Sequence, residues 1–441
     1  MTEPGGKAYF AEQALLPGGP ARDVRLEVAD GRFTAVTPGA TADGAERLPG
    51  VVLPGFANCH SHAFHRALRG RTHAGGGSFW TWRQAMYALA GRLDPDRYHA
   101  LARGAYAEMA LAGFTTVAEF HYLHHAAGGR PYADPNAMAA ALRAAAAEAG
   151  VRLTLLDACY LAGGLDGSGP QPLDGVQRRF ADPSAEAWAV RVAELRPDAT
   201  TRVGVAVHSV RAVPRADLAV VAAAAGDRPL HVHLSEQPAE NVACQEYYRM
   251  TPTQLLAAEG VLGPSTTAVH ATHPLGDDIA RLAAAGTAVC LCPITERDLA
   301  DGIGPAAGFA DAGIRLSLGT DQHAQTDPFE EARAVELHER LQSHRRGRFA
   351  PADLLRMLTR HETVGWPDAG RLEPGARADA VAVRLDTPRT AGAAPEQVLF
   401  AATPADVDTV LVDGRVVVAG GAHRLGDVGR LLGEGIEAAW H

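Results

Sequence analysis

Lysine is almost missing from this chain. Of 441 residues, 41 are Lys or Arg, and Lys7 is the only lysine. Arginine keeps its proton at working pH, so it serves neither as a general base, nor as a Schiff-base former, nor as a carbamate donor. A mechanism that needs a catalytic lysine would have to find it at position 7. Cysteine is scarce too: Cys59, Cys159, Cys244, Cys290 and Cys292 are scattered and odd in number, which argues against a disulfide scaffold. No apolar run reaches the roughly 20 residues of a membrane span. Met1 to Gly19 lack the apolar segment behind a basic region that marks a signal peptide. Acidic residues outnumber basic ones, 51 to 41, giving a formal charge of −10 with no Lys/Arg block. The basic stripe that nucleic acid requires is therefore absent. Neither a nucleic acid nor a membrane partner is expected, and the cytoplasm is the expected location.

What is present suits a globular enzyme. Hydrophobic residues make up 47% and charged residues 21%, enough apolar content for a sizeable core. The length fits one large barrel plus a smaller unit. Residues 8–52 read as short strands with a turn at Asp30-Gly31, and 380–385 and 407–418 read likewise, with a turn at Asp413-Gly414. Neither end can bury much alone, so the two predict one small, β-sandwich-like domain built from residues 1–50 and 371–441, the latter also including a tail.

The middle, 51–370, alternates strand and helix. Strands are predicted at 51–60, 115–121, 151–158, 203–208, 230–234, 266–270, 287–292 and 314–321. Helices are predicted at 135–149, 184–195, 214–225, 252–260 and 274–285, several with Asp or Pro near the first turn. Eight such units predict an α/β protein with a (β/α)8, TIM-like barrel. A doubly wound open sheet would not need eight, and no GxGxxG follows the first strand.

Barrel active sites lie at the C-terminal strand ends, and here those ends carry ligand-type residues. Strand 1 ends in His60-Ser61-His62, strand 2 in Glu119-Phe120-His121, strand 4 at His208 and strand 6 at His270. Strand 5 holds His231-Val232-His233, and strand 8 ends at Asp321. His60 and His62, two apart, share one side of a strand, while Ser61 faces away. A third histidine and a carboxylate complete a catalytic zinc site, and His233 and Asp321 are the best candidates. Zinc is expected, one per subunit, although iron or another divalent ion also suits this donor set. Cys290 and Cys292 form a CxC without a second pair and are read as buried strand residues.

The segments PGFANCHSHAFHRALRG, HVHLSEQ, VHATH and GTDQH resemble the metal-dependent amidohydrolase superfamily. FWTWR at 79–83, AEFHYLHH at 118–125, HSVRAV at 208–213 and DLADGIGP at 298–305 resemble, more narrowly, its formiminoglutamate deiminases of bacterial histidine degradation. The likeness runs along nearly the whole chain. It implies one zinc on His60, His62, His233 and Asp321. Binuclear members commonly bridge their metals with a carboxylated lysine, which a barrel without lysine cannot supply; only a glutamate such as Glu119 could substitute.

The resemblance also implies roles. Asp321 accepts the proton of the attacking water, His270 hydrogen-bonds that water or the tetrahedral centre, and Glu236 is the general acid/base that protonates the departing nitrogen. The substrate is a small dicarboxylate amidine whose carboxylates meet Arg83 and Arg211, with Tyr122 and His208 as hydrogen-bonding neighbours. His65 stands where the family usually has glutamine, GTDQH replaces GSDSH, and DLADG replaces NLGDG. The expected products are N-formyl-L-glutamate and ammonia, and a homodimer is implied. The alternatives are a zinc aminohydrolase acting on a cyclic amidine such as a purine or pterin, whose pocket would favour aromatic stacking, and a non-catalytic assembly protein lacking ligands.

Overall fold

The computed structural model describes residues 6–73 and 79–441. Eight parallel strands follow one another in sequence order: β1 (Phe56–Ser61), β2 (Phe114–His121), β3 (Arg152–Cys159), β4 (Thr201–Val207), β5 (Leu230–Leu234), β6 (Thr266–His270), β7 (Ala288–Leu291) and β8 (Leu316–Leu318). Nearly every residue in them is buried, as expected for parallel strands covered on both faces. A bridge between Ser61 and Asp321 brings the last strand back to the first. The TIM-like barrel is thus observed, with the expected strands in the expected order.

Closure is specified by small and polar residues. Asn58 donates to Thr320 Oγ1 at 2.7 Å and accepts from the Thr320 amide at 3.0 Å, joining β1 to the segment after β8. Gly319 sits so close to β1 that a Cβ there would lie 2.6 Å from His60 Cβ and 2.8 Å from its backbone N and O. Only glycine allows that approach.

The chain ends form a second sheet. Its spatial order is 422–423, 415–419, 407–412, 380–383, 46–54, 7–16, 19–29 and 32–37, a single mixed sheet in which 7–16 and 46–54 run parallel. Asp30-Gly31 and Asp413-Gly414 turn with positive φ at both residues, the geometry that suits twisted hairpins. Two details differ from the sequence expectation. The apolar run 51–60 is not one strand: 51–54 belong to the chain-end sheet and β1 starts at Phe56, so the expected boundary at 51 falls inside Glu46–Pro54. Gly55 marks the break, where a Cβ would lie 2.5 Å from Thr115. The C-terminal helix Val428–Trp440 packs on the barrel rather than on the sheet, with Trp440 Nε1 donating to the Ala67 carbonyl at 3.1 Å.

Buried charge ties the two parts together. Arg152 on β3 pairs with Asp379, contacts Asp413 at 2.9 Å, and donates to Thr116 at 2.9 Å. Both Arg152 and Asp379 are fully buried, so loss of either would strand an unpaired charge. All five cysteines are free and buried. No helix among the described residues is long and apolar enough to cross a membrane.

A methyl group at Gly319 must displace β1 at the seam. Gly319→Ala is expected to cost about 1–3 kcal/mol, read as a lowered unfolding midpoint, and to reduce metal retention because His60 is the residue displaced.

Candidate metal centre and active-site cavity

His60 and His62 leave the end of β1, His233 lies on β5, and Asp321 follows β8. Their ligand atoms all fall within 4.8 Å of one another. His60 Nε2 stands 3.1 Å from His62 Nε2 and 3.1 Å from His233 Nε2, and Asp321 Oδ1 is 3.4 Å from His60 and 3.3 Å from His62. A tetrahedral cation with bonds of about 2.0–2.1 Å separates its ligands by roughly 3.3 Å, so the spacing fits one metal. Orientation fits as well. His62 Nδ1–H donates to the Phe120 carbonyl at 2.9 Å and His233 Nδ1–H to the His208 carbonyl at 2.8 Å. Those bonds fix the tautomer and leave each Nε2 lone pair facing the centre. Burial first, then the neighbouring imidazoles, hold His60 and His233 well below the usual histidine range, and burial lowers His62 to about 4. All three are neutral, the form that binds metal.

Ser61 does face away, donating to Glu119 Oε2 at 2.8 Å. The other Glu119 oxygen accepts the Ala63 amide at 2.7 Å. With both oxygens engaged behind β1, Glu119 is outside the ligand group and does not bridge it. His121, His124 and Asp157 also cluster, but Asp157 and His124 are already engaged elsewhere. Asp157 takes hydrogen bonds from Trp188 and from two nitrogens of Arg191, and His124 donates to the Ala158 carbonyl. That cluster is a neutralised ion-pair network. Cys292 approaches His270 and Asp321, yet burial pushes its thiol well above the ordinary value, and a neutral thiol is a poor ligand.

Beside the ligands lie the expected acid/base groups. His270 Nε2 is 3.8 Å from Asp321 Oδ2 and 3.9 Å from Glu236 Oε1, and its Nδ1 is 3.3 Å from Glu296 Oε1. Burial opposes its cationic form, but the Glu296 hydrogen bond and the charges of Glu236, Asp321 and Glu296 outweigh it and raise its pKa to about 10. Glu236 is buried at the cavity wall and accepts from Arg211 Nη2 at 3.0 Å.

These groups open into one cavity of about 250 Å³, and all five residues expected to bind substrate line it: His65, Arg83, Tyr122, His208 and Arg211. His65 Nε2 is 2.8 Å from Tyr122 Oη and its ring packs against His62 and Trp82. Burial keeps it neutral, so it offers one donor and one acceptor where an amide would offer two donors and a carbonyl acceptor. His208 is half-buried, its ring 4.6 Å from that of Tyr160. The two arginines differ. Arg83 lies across Tyr87 and Trp80, 5.0 and 5.6 Å from their ring centres, and among the described residues it pairs with no carboxylate. Arg211 lies against two, Glu236 and Glu240, the latter at 2.8 Å.

Sequence reasoning missed part of the lining. Tyr87 accepts from Arg83 at 2.6 Å and from Gln177 at 2.9 Å, and Gln177 also reaches Tyr160 at 3.0 Å. Tyr87 follows Arg83 by four residues in the helix Phe79–Ala90, a register that signals contact. The short hairpin Gly164–Asp166/Gly169–Gln171 borders the cavity and carried no signal beyond its glycines. Trp80 and Trp82 both line the cavity, Trp80 45% exposed and Trp82 buried.

Barrel, ligand set and cavity together define a metal-dependent hydrolase of the amidohydrolase type. The chain belongs to the Amidohydrolase family, whose pattern matches residues 51–417, and residues 7–50 match the N-terminal domain of formimidoylglutamate deiminase HutF. It is 41% identical to formimidoylglutamate deiminase of Pseudomonas aeruginosa, over 94% of this chain and 95% of that relative. It is 30% identical to 8-oxoguanine deaminase of the same organism, over 84% and 83%. Among solved structures, an amidohydrolase from Brucella melitensis superposes with a TM-score of 0.90 at 33% identity, covering 99% of this chain and all of that one.

The two histidine clusters make opposite predictions. After dialysis against a mild chelator, His233→Ala and Asp321→Asn are expected to lose most of their metal by elemental analysis, while His121→Ala retains it at the wild-type ratio.

Proposed function

We propose that this enzyme hydrolyses N-formimino-L-glutamate to N-formyl-L-glutamate and ammonia in histidine degradation, with one zinc ion on His60, His62, His233 and Asp321. The observation that carries this reading is that the cavity exposing Asp321 and Glu236 is also lined by Arg83 and Arg211, two cations for a substrate with two carboxylates. The 41% identity to a formimidoylglutamate deiminase supports it. Three neutral imidazoles and a carboxylate suit zinc, which when bound supplies the Lewis acidity that makes water a nucleophile near neutral pH.

The chain's own groups then divide the work. The oxygen of water bonds to the formimino carbon, and Asp321 takes the proton that water loses. His270, within 4 Å of both Asp321 and Glu236, hydrogen-bonds the attacking water or the tetrahedral centre as negative charge develops there. Both protons that water gives up end on the terminal nitrogen, one by way of Asp321 and one delivered by Glu236. The C=N bond becomes single as oxygen adds, then breaks as the formyl C=O forms, and ammonia leaves with both carboxylates back in their starting state. Arg83, braced by Tyr87, holds one carboxylate in a charge-assisted bond; Arg211 faces the other while tied to Glu236. His65 and Tyr122 present a linked hydrogen-bonding pair to the formimino group.

One observation favours a second reading. Aromatic rings (Trp82, Tyr122, Tyr160 and Phe180) line the same cavity, and the 30% identical relative is an 8-oxoguanine deaminase; a cyclic amidine would stack there. Incubating the metal-reconstituted enzyme with each substrate class, and quantifying ammonia and N-formyl-L-glutamate, separates the two. Turnover of a cyclic amidine without turnover of N-formimino-L-glutamate overturns the first reading.

Glu236→Gln is expected to keep its metal and lose on the order of 10²-fold or more in kcat; near-normal turnover removes Glu236 from this role. Arg83→Ala is expected to raise KM for the dicarboxylate by about tenfold or more with metal content unchanged, and an unaltered KM removes the carboxylate contact.

A further inference from the structure

Glu240 stands out as a buried carboxylate with no part in the chemistry above. It is 1% exposed, does not line the cavity, and so cannot touch substrate. It lies in the first turn of the helix Pro238–Tyr248, which Pro238 starts immediately after β5 and its turn. One oxygen, Oε1, accepts the backbone N–H of Ser235 at 2.8 Å. The other, Oε2, is 2.8 Å from Nε of Arg211. Ser235 takes φ of 47°, a conformation that a non-glycine residue holds only under constraint, and Glu236 is the next residue. Arg211 in turn donates to Glu236 Oε2 at 3.0 Å.

We propose that Glu240 is a positioning residue that sets Glu236 from two sides: through the backbone of Ser235, and through the guanidinium of Arg211. The inference rests on Glu236 being the acid/base group, whichever amidine the cavity takes. Without Glu240, Arg211 loses one of the two carboxylates set against it, and the pull of the guanidinium shifts toward Glu236. The carboxylate that must reach the departing nitrogen then shifts, and misplacement on the ångström scale is enough to slow chemistry severely.

Glu240→Gln isolates the electrostatic half, since the amide oxygen still accepts the Ser235 N–H at equal volume. With whichever substrate the wild type turns over, this variant is expected to keep its metal and unfolding midpoint and to lose about ten- to hundredfold in kcat. In an Arg211→Met background the same substitution is expected to cause little further loss, because a residue acting through Arg211 has nothing left to act on. Wild-type kcat in Glu240→Gln overturns the proposal, as does an equal loss in both backgrounds. If Glu240→Gln fails to fold, Arg211→Lys decides: it keeps the charge but cannot hold two carboxylates with one planar fork. The same kcat deficit is expected, and full kcat overturns the proposal. Hydrogen exchange gives a readout independent of turnover. The Ser235 amide is expected to be protected in the wild type and in Glu240→Gln and to lose protection in Glu240→Ala; unchanged exchange in Glu240→Ala overturns the backbone half. Failure of the wild type on N-formimino-L-glutamate would count against the substrate alone.

Discussion

The site depends on how the barrel closes. His60 and His62 sit at the end of the first strand and Asp321 just beyond the last, more than half the chain apart in sequence, yet they are neighbours across the seam. The His62 amide donates to the Asp321 carbonyl at 3.1 Å, and the Asp321 amide to the His60 carbonyl at 3.0 Å. Three of the four ligands are therefore set by a backbone ladder rather than by long side chains, which is how rigid elements hold a metal site. Asn58, Thr320 and Gly319 make the ladder close, and His233 completes the set from β5. Everything the cavity does with water presupposes that seam.

The same strand ends store strain. Ser235, His270, Ala271, Asp321 and His323 all take positive φ without being glycine. Such residues cost about 1–3 kcal/mol each and persist only where their surroundings fix them. All five lie at the C-terminal end of a buried strand or within a few residues beyond it. Asp321 is held by the seam, Ser235 by Glu240, and His323 by a 2.9 Å contact with Thr320 Oγ1. The polar groups behind the site thus act on backbone shape as much as on charge.

The barrel was legible in the sequence because parallel strands buried on both faces leave short apolar runs at regular spacing, and the residues of the His/Asp cluster were legible because metal chemistry admits few residue types. His60, His62, His233 and Asp321 could be named without coordinates. The boundary of β1 was not legible: 51–60 is one apolar run, and the break at Gly55 comes from the approach of Thr115, a contact no local pattern encodes. The helix Val428–Trp440 follows a run of strands, and nothing local tells it to leave them for the barrel. Glu240 was missed for a similar reason. A glutamate in a helix's first turn is ordinary N-terminal chemistry, and its second oxygen gains meaning only when Arg211 arrives from another strand end.

Near-exclusive use of arginine also acquires structural sense at position 211. An ammonium is a compact point charge with rotatable donors, and it would settle against whichever carboxylate lay closer. The guanidinium is planar and extended, so Nη2 donates to Glu236 while Nε lies 2.8 Å from Glu240 in an ion pair. Two acids are thereby held at a fixed separation by one cation in a region of low dielectric, where unpaired carboxylates would be costly. Arg83 shows the contrasting use. It is braced by aromatic faces and a tyrosine hydroxyl, which orient its fork without neutralising it, so its charge stays available to an anion entering the cavity. The two arginines thus differ in their surroundings: two carboxylates flank Arg211, while aromatic faces and a tyrosine hydroxyl flank Arg83.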